Sequence, residues 1–404
     1  VAVGEVWAKI ADDACQVTHT GPSGGTFRCM HFARMAIGLG VLGSFLLLAS
    51  CAAGPERSAA AAAESSLAGA RLDQVQFIGS HNSFKQAPQP ELLEMLRPFY
   101  SGADGIDYSH LSLTDQLNLG LRNLELDVYF DPEGGRYRDP MGERMLRQKN
   151  VEPWPRGDAA ALLTPGFKVL HDADFDFRTC HIAFEGCLAE LARWSDAHAG
   201  HTPIVLTMNT KQGGRVVPGA ASPAEFTVDA LKLLNATVIA GLGRERLLTP
   251  DDVRGNEATL REAVSARGWP SLAASAGRFI FVLDEGGTAR DRYLASFPGL
   301  RGAAYFVNAE PEAAEAAIFV INDPVRDEAR IRGLVTQGFL VRTRADADTK
   351  EARSNDFSRF DAAKRSGAQI ITTDYYIPDR SVSERYMVRF DDGTFFRANP
   401  VTGR

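Results

Sequence analysis

Cysteine is scarce in this chain, with five in 404 residues. None stands in a CxxC pair, and none has His or Cys neighbours at zinc-binding spacing, so a structural zinc site is excluded. Basic excess is missing too. The formal net charge is −7, and no Lys/Arg block interrupts the sequence, which leaves nucleic acid without an electrostatic footprint. No glycine-rich GxGxxG follows the first strand-like run, which weakens a dinucleotide-binding fold. What is present is ordinary globular material, 45% hydrophobic and 24% charged. Disordered, collagen-like and mucin-like chains are thereby ruled out.

Long hydrophobic runs are equally rare. Met35 to Ser50 is uncharged but shorter than the roughly 20 residues a membrane span needs. Arg34 precedes it, and Leu48-Ala49-Ser50-Cys51 closes it. A basic flank, a short apolar core and small residues before a Cys describe a secretory signal. The ending resembles a bacterial lipobox, which would make Cys51 a lipidated mature N-terminus at a membrane surface. A simple signal peptide or a short anchor helix competes with that reading. The preceding 29 residues are polar and patternless, and Met30 and Met35 are alternative starts. Residues 1–50 therefore read as a signal segment, and Ala52 to Ala70, rich in Ala and Ser, as a tether. An exported Cys180/Cys187 pair predicts a disulfide closing a small loop.

From Arg71 onward short β-rich runs alternate with helical stretches. The expected strands are Val75–Gly79, Asn123–Phe130, Lys168–His171, Pro203–Asn209, Arg278–Asp284, Ala304–Val307, Ala317–Ile321, Phe339–Thr343 and Gln369–Thr373. Several are nearly continuous apolar runs, as parallel strands buried on both faces require. Ile182–His198 has helical spacing, and Ser222-Pro223-Ala224-Glu225 predicts a capped helix start. Gly241 and Gly243 punctuate its far end. The alternation over residues 71–404 implies an α/β fold, a single large TIM-type (β/α)8 barrel, with a doubly wound sheet as the other option. Nine strands for eight places make one accessory. The turn-rich stretch Asp131 to Gly166 reads as a long functional loop at the C-terminal face. Its Trp154 and Leu162 are expected to cover the barrel, with lipid contact by Met141, Met145, Leu146 and Trp154 as the other reading.

Polar residues collect at the ends of these runs. Ser80-His81-Asn82-Ser83 follows the first. Glu125 and Asp127 alternate on one face of the second. His171 ends the third, Asn209 and Lys211 share a face at the fourth, and Arg342 and Arg344 share one near the C-terminus. Paired carboxylates on an interior face call for something positive between them, and a hard, oxygen-coordinated cation is the simple answer. Imidazoles, carboxylates and cations together suit phosphoryl transfer. Asp172-Ala173-Asp174-Phe175-Asp176 starts like an EF-hand, but Phe177 and Ala183 stand where Gly and Glu belong, so that site is rejected. His110 reads as structural. His181, His198 and His201 read as surface or helix-end residues.

Several ordered motifs resemble the calcium-dependent phosphatidylinositol-specific phospholipase C-like proteins of bacteria and fungi. They are Phe77-Ile78-Gly79-Ser80-His81-Asn82-Ser83-Phe84, Leu124-Glu125-Leu126-Asp127-Val128 and Pro165-Gly166-Phe167-Lys168-Val169-Leu170-His171. Thr249 to Gly255, Gly268-Trp269-Pro270, Val341 to Ala347 and Ser366 to Gln369, with Thr373-Asp374-Tyr375, extend the likeness over roughly residues 71 to 380. The resemblance implies a barrel phosphodiesterase using Ca2+, with His81 and His171 as the catalytic pair. It also implies Asn82, Glu125 and Asp127 as calcium ligands, with Glu125 doubling as a base. Asn209 takes the place where eukaryotic relatives carry another acid, which would weaken calcium binding. Lys211, Arg342 and Arg344 are expected to contact phosphate or headgroup. Two functions compete. A glycerophosphodiester phosphodiesterase would begin its motif His-Arg-Gly rather than His81-Asn82-Ser83. A non-catalytic surface lipoprotein would bind a phosphorylated ligand without turning it over.

Overall fold

Every one of the nine runs forms a strand. The computed structural model describes residue 64, residues 66–213 and residues 218–403. The strands are β1 (Val75–Ser80), β2 (Asn123–Asp131), β3 (Gly166–Val169), β4 (Ile204–Thr210), β5 (Phe279–Leu283), β6 (Tyr305–Val307), β7 (Ile318–Val320), β8 (Leu340–Arg344), β9 (Ile370–Thr373) and β10 (Phe396–Ala398). Eight of them pair in parallel, in the order β6-β5-β4-β2-β1-β9-β8-β7. A parallel bridge from Asn308 to Ile318 links the two ends, so the ring is nearly closed. Helices between the strands cover the outside. This is a TIM-type barrel in one domain, and the apolar runs are apolar because both strand faces are buried. All of β5 is buried, for example.

The accessory strand is the third. β3 runs antiparallel to β2, Val128 opposite Val169 and Asp131 opposite Gly166. It extends a hairpin beyond the barrel rim and is not a barrel stave. β10, which the sequence does not announce, pairs antiparallel with the start of β1.

The helix expected at Ser222 begins instead at Val228, where Thr227 Oγ1 accepts the Ala230 N–H at 3.2 Å. Phe226 is the reason. It is fully buried against Phe167 and Phe130, and its N–H donates to Gln212 Oε1. With that ring anchored, residues 222–226 form neither helix nor strand. Gly241 lies within the last turn of this helix, which ends at Leu242, rather than beyond it. A Cβ there would meet Leu188 Cδ1 at 2.7 Å, so glycine permits the close approach to helix Phe184–Ala197. The stretch 131–166 is not wholly irregular, since it contains helix Met141–Gln148 and a 3-10 turn at Ala159–Leu163. Leu162 is buried there, whereas Trp154 is 43% exposed beneath the Arg178 guanidinium.

Cys180 and Cys187 are free thiols in this structure, so the expected disulfide is not formed. They lie within hydrogen-bonding reach of each other, which lowers the pKa of Cys180 and raises that of Cys187. His201 is buried, donating or accepting with Ser195 Oγ at 2.9 Å, rather than standing on the surface. The end of the Ala/Ser-rich stretch is held down. Glu64 pairs with Arg122 at 2.7 Å, and Leu67 and Ala70 pack on the core. The signal segment and Cys51 lie outside the described residues. Among the described residues no helix is long and apolar enough to cross a membrane.

Candidate active site

The barrel brings His81 and His171 to one polar cavity of about 210 Å³. Asn82, Glu125, Asp127, Asn209, Lys211 and Arg342 line it with them. Asp284 and Asn322, which sequence reasoning missed, complete the wall.

His81 follows β1. Gly79 lies against Asn123 of β2 so closely that a Cβ would meet the Asn123 Cβ at 2.4 Å. This brings the β1 end beside Glu125. Asn82 adopts the left-handed region, φ 48°, which asparagine tolerates better than most residues. The turn lets the Ser83 N–H donate to the Glu125 carbonyl at 2.9 Å, while the Glu125 N–H donates to Ser83 Oγ at 2.7 Å. His81 Nδ1 lies 2.9 Å from Asp374 Oδ1, and its Nε2 lies 3.7 Å from Glu125 Oε1. Asp374 in turn accepts from Arg344 at 3.1 Å, and its backbone N–H donates to Asp346 Oδ1 at 2.9 Å. Burial pushes the His81 pKa well below 6.5, and the Arg344 charge lowers it further. The ring is therefore neutral at pH 7. With Nδ1–H donated to the carboxylate, Nε2 carries its lone pair toward the cavity. Burial raises Asp374, and it raises Asp346 to about 7 with the Asp374 charge adding to it.

His171 arrives by a different route, from the hairpin of β2 and β3. Its Nδ1 lies 2.7 Å from Asp176 Oδ2. Asp176 is held by a tight turn in which Asp172 and Asp176 exchange backbone hydrogen bonds. Asp172 Oδ1 accepts the N–H groups of Asp174 and Phe175. That is the work of the acidic run: it closes a turn. The other oxygen of Asp176 lies 3.2 Å from Lys85 Nζ. Lys85 is wholly buried and donates to the carbonyls of Ile106 and Tyr108 at 2.5 and 3.1 Å.

The carboxylates between the rings are already partnered. Glu125 contacts the Arg342 guanidinium, which also contacts Asn322. Asn209 Nδ2 donates to Glu125 Oε1 at 3.3 Å. Lys211 Nζ lies 2.9 Å from Asp127 Oδ2. Arg344 departs from the expectation that it lines the substrate cavity. It sits behind Asp374, on the far side of His81. His110 contributes to scaffolding, with Nε2 2.7 Å from the His81 carbonyl.

Among the described residues no three His, Cys, Asp or Glu side chains converge as a metal cage. The donor chemistry nevertheless fits a hard cation, because half of the oxygen set is carboxamide. Asn82 spends its Nδ2 on Tyr108 Oη at 2.9 Å, leaving its oxygen as the remaining acceptor. Asp127 Oδ2 is buried with the Lys211 ammonium as its partner, so a cation here would share that oxygen with Lys211.

Asp374 and Asp176 were the chief omissions from the sequence-derived site. Asp374 stands in the Thr373-Asp374-Tyr375 motif directly after a strand, and Asp176 in the rejected acidic run. An acid near a strand end was the available signal.

Comparison with known proteins places these features. Residues 70–400 match the family model described as calcium-dependent phosphoinositide phospholipase C. A calcium-dependent phosphoinositol-specific phospholipase C from a Gram-negative Pseudomonas species is similar in structure, with a TM-score of 0.51 at 14% identity. The alignment covers 83% of this chain and 97% of that one. A calcium-dependent phosphatidylinositol-specific phospholipase C from Streptomyces antibioticus aligns with a TM-score of 0.48 at 19% identity, over 81% and 99% of the two chains. None of the curated proteins compared matches the sequence. The structural likeness carries the fold, and the family match spans nearly the whole described barrel. This chain is a member of the calcium-dependent phosphoinositide phospholipase C family, a phosphodiesterase of the phosphatidylinositol-specific type.

Proposed function

We propose that the protein cleaves phosphatidylinositol-like lipids by a His-pair mechanism assisted by calcium. One observation carries this reading. Both imidazoles bind a buried carboxylate through Nδ1, and both line the same polar cavity beside Glu125 and Asp127. Each ring is thus oriented with Nε2 free for proton transfer.

In this reading the inositol 2-hydroxyl oxygen forms a bond to phosphorus. Its proton passes to His81 Nε2, which is neutral, with Glu125 Oε1 close enough to stabilise the imidazolium or to take the proton itself. The bond from phosphorus to the glycerol oxygen breaks, and His171, acting in its imidazolium form, delivers its Nε2 proton to that oxygen. The products are a cyclic inositol phosphate and diacylglycerol. Arg342 and Lys211 hold negative charge in the cavity. Calcium, when bound, would be held by oxygens of Asn82, Glu125, Asp127 and Asn209 and would offset phosphate charge and acidify the attacking hydroxyl. Asp374 and Asp176 fix ring orientation throughout.

The full chain, incubated with phosphatidylinositol and followed by phosphorus NMR, tests this. A cyclic inositol phosphate signal that vanishes with chelator is the expected result. Turnover that survives chelation would remove calcium from the mechanism. Cleavage of glycerophosphodiesters alone would move the protein to the competing enzyme class. Lipidation of Cys51, supported by the Leu48–Cys51 sequence, would hold the barrel at its substrate. Labelled fatty acid incorporated into the wild type but not into Cys51→Ser checks it.

A further inference from the structure

Tyr108 is buried behind the polar cavity and touches the supports of both catalytic rings. It lies between β1 and β2, two residues past the 3-10 turn Ala103–Ile106. Its carbonyl accepts from the Lys85 ammonium at 3.1 Å, and the same ammonium stands 4.3 Å above its ring centroid. That is the His171 side, because Lys85 Nζ is also the partner of Asp176. The hydroxyl serves the other side. Oη accepts the Asn82 Nδ2–H at 2.9 Å and lies 3.4 Å from His81 Nδ1. Two N–H groups thus face one oxygen, since His81 Nδ1 carries the proton it donates to Asp374. Burial, with the Asp374 charge adding to it, raises the phenol pKa well above 10, so Oη stays a neutral hydroxyl. His110 packs edge-on against the ring at 5.4 Å, with its Nε2 on the His81 carbonyl, and holds the phenol in place.

A carboxamide has two ends of similar shape, one a donor and one an acceptor. Asn82 lines the polar cavity, and only its oxygen can coordinate a hard cation. We infer that Tyr108 is a positioning residue that decides which end of Asn82 faces the cavity. By accepting Nδ2–H, it turns Oδ1 toward the space shared with Glu125 and Asp127. This rests on the proposed calcium reading and adds to it the group that orders one ligand. Distance singles out Asn82 rather than His81 as the residue served. Asp374 already orients the His81 ring at 2.9 Å, and the Tyr108 contact to that ring is the longer one at 3.4 Å. The left-handed backbone of Asn82, φ 48°, fixes where its side chain starts but not how the amide is rotated. The phenol supplies that last choice.

Calorimetry on the full chain, with calcium alone as the titrant, gives Kd without turnover. Tyr108→Phe keeps the ring and the carbonyl and deletes only the hydroxyl. Its calcium Kd should rise about tenfold or more, the usual cost of losing the partner of a metal ligand. A purely structural hydroxyl would lower the urea midpoint and leave Kd alone. Asn82→Ala should weaken calcium at least as much. Asn82→Asp carries oxygen at both ends and needs no orienting, so Tyr108→Phe added to it should change Kd less than about threefold. The full loss repeated in that background overturns the idea that Tyr108 acts through Asn82. An unchanged Kd in Tyr108→Phe, with Asn82→Ala weakened, overturns the positioning role and leaves Asn82 a ligand. An unchanged Kd in both removes Asn82 from the ligand set and the inference with it. Calcium binding that depends on Tyr108, without phosphatidylinositol cleavage, would keep the inference and sink the proposed reaction.

Discussion

His81 and His171 carry the same device on unequal supports. Each ring gives Nδ1 to a buried carboxylate, but the carboxylates live in different electrostatic company. Asp176 has its own counter-charge, the Lys85 ammonium, fixed by two backbone carbonyls. Asp374 shares the Arg344 guanidinium with a second buried acid, Asp346, whose pKa is raised to about 7. The His171 arm is held by one buried ion pair, while the His81 arm carries two neighbouring buried acids around one guanidinium. Their scaffolds differ in the same sense. His81 ends a barrel strand paired on both sides, and His171 ends a hairpin built onto the rim. Orientation can be supplied by either route.

The comparison breaks most severely if either ring is dispensable. His81→Ala and His171→Ala should each lower kcat about 10² to 10⁴-fold with the circular dichroism spectrum unchanged. A variant retaining most activity would show that one arm is scaffolding. Next in size is the His171 arm. Lys85→Met strands the Asp176 charge in a dry site, and loss of one buried partner costs about 3–5 kcal/mol. The urea midpoint should fall accordingly, and an unchanged midpoint would mean that Asp176 is not held by this ion pair. Between the arms, Asn209→Asp restores a carboxylate to the cavity. The calcium concentration giving half-maximal activity should fall about tenfold, since ligand charge sets affinity at such sites. An increase would place Asn209 outside the ligand set.

The smallest effect probes the His81 arm. The kcat/KM profile reports groups of the free enzyme. His81 is neutral above its depressed pKa, so its protonation should not reduce kcat/KM until well below pH 6.5. Arg344→Gln removes a positive neighbour that lowers this pKa, while the larger effect of burial stays. The acidic limb should move to higher pH, and a limb that stays in place or moves toward acid contradicts the assignment.

Much of this architecture is legible in the sequence, for a physical reason. Strands buried on both faces must be apolar nearly throughout, and β5 and β6 announce themselves that way. Glu125 and Asp127 could be paired because alternation is a local property. The third run misled for the same reason, since a hairpin strand and a barrel stave of four residues look alike in one dimension. Ser222 to Glu225 satisfied every local rule for a helix start, but burial of Phe226 overrode them. The Asp374–His81 contact spans 293 positions, and no local pattern encodes it. Alternation along the strands points to Glu125, Asp127, Asn209, Lys211 and Arg342 of the polar cavity, but not to Asp284 or Asn322. The groups behind it became visible only when distant segments met.

The seam at β10 has a consequence for when the enzyme comes into being. Gln76, on the first stave, accepts from Arg397, 321 positions later, and their strands lie side by side. A chain emerging from the ribosome holds β1 early, yet the start of that strand, at Val75–Phe77, lacks this partner until residues 396–398 arrive. Such non-local pairing is slow to form, because the loop must be closed before the contact rewards it. The eight-stranded ring can close once β9 is in place, and the β10 pairing is added to it afterwards. Protein without residues 396–398 keeps all eight staves but loses the antiparallel cover on the start of β1.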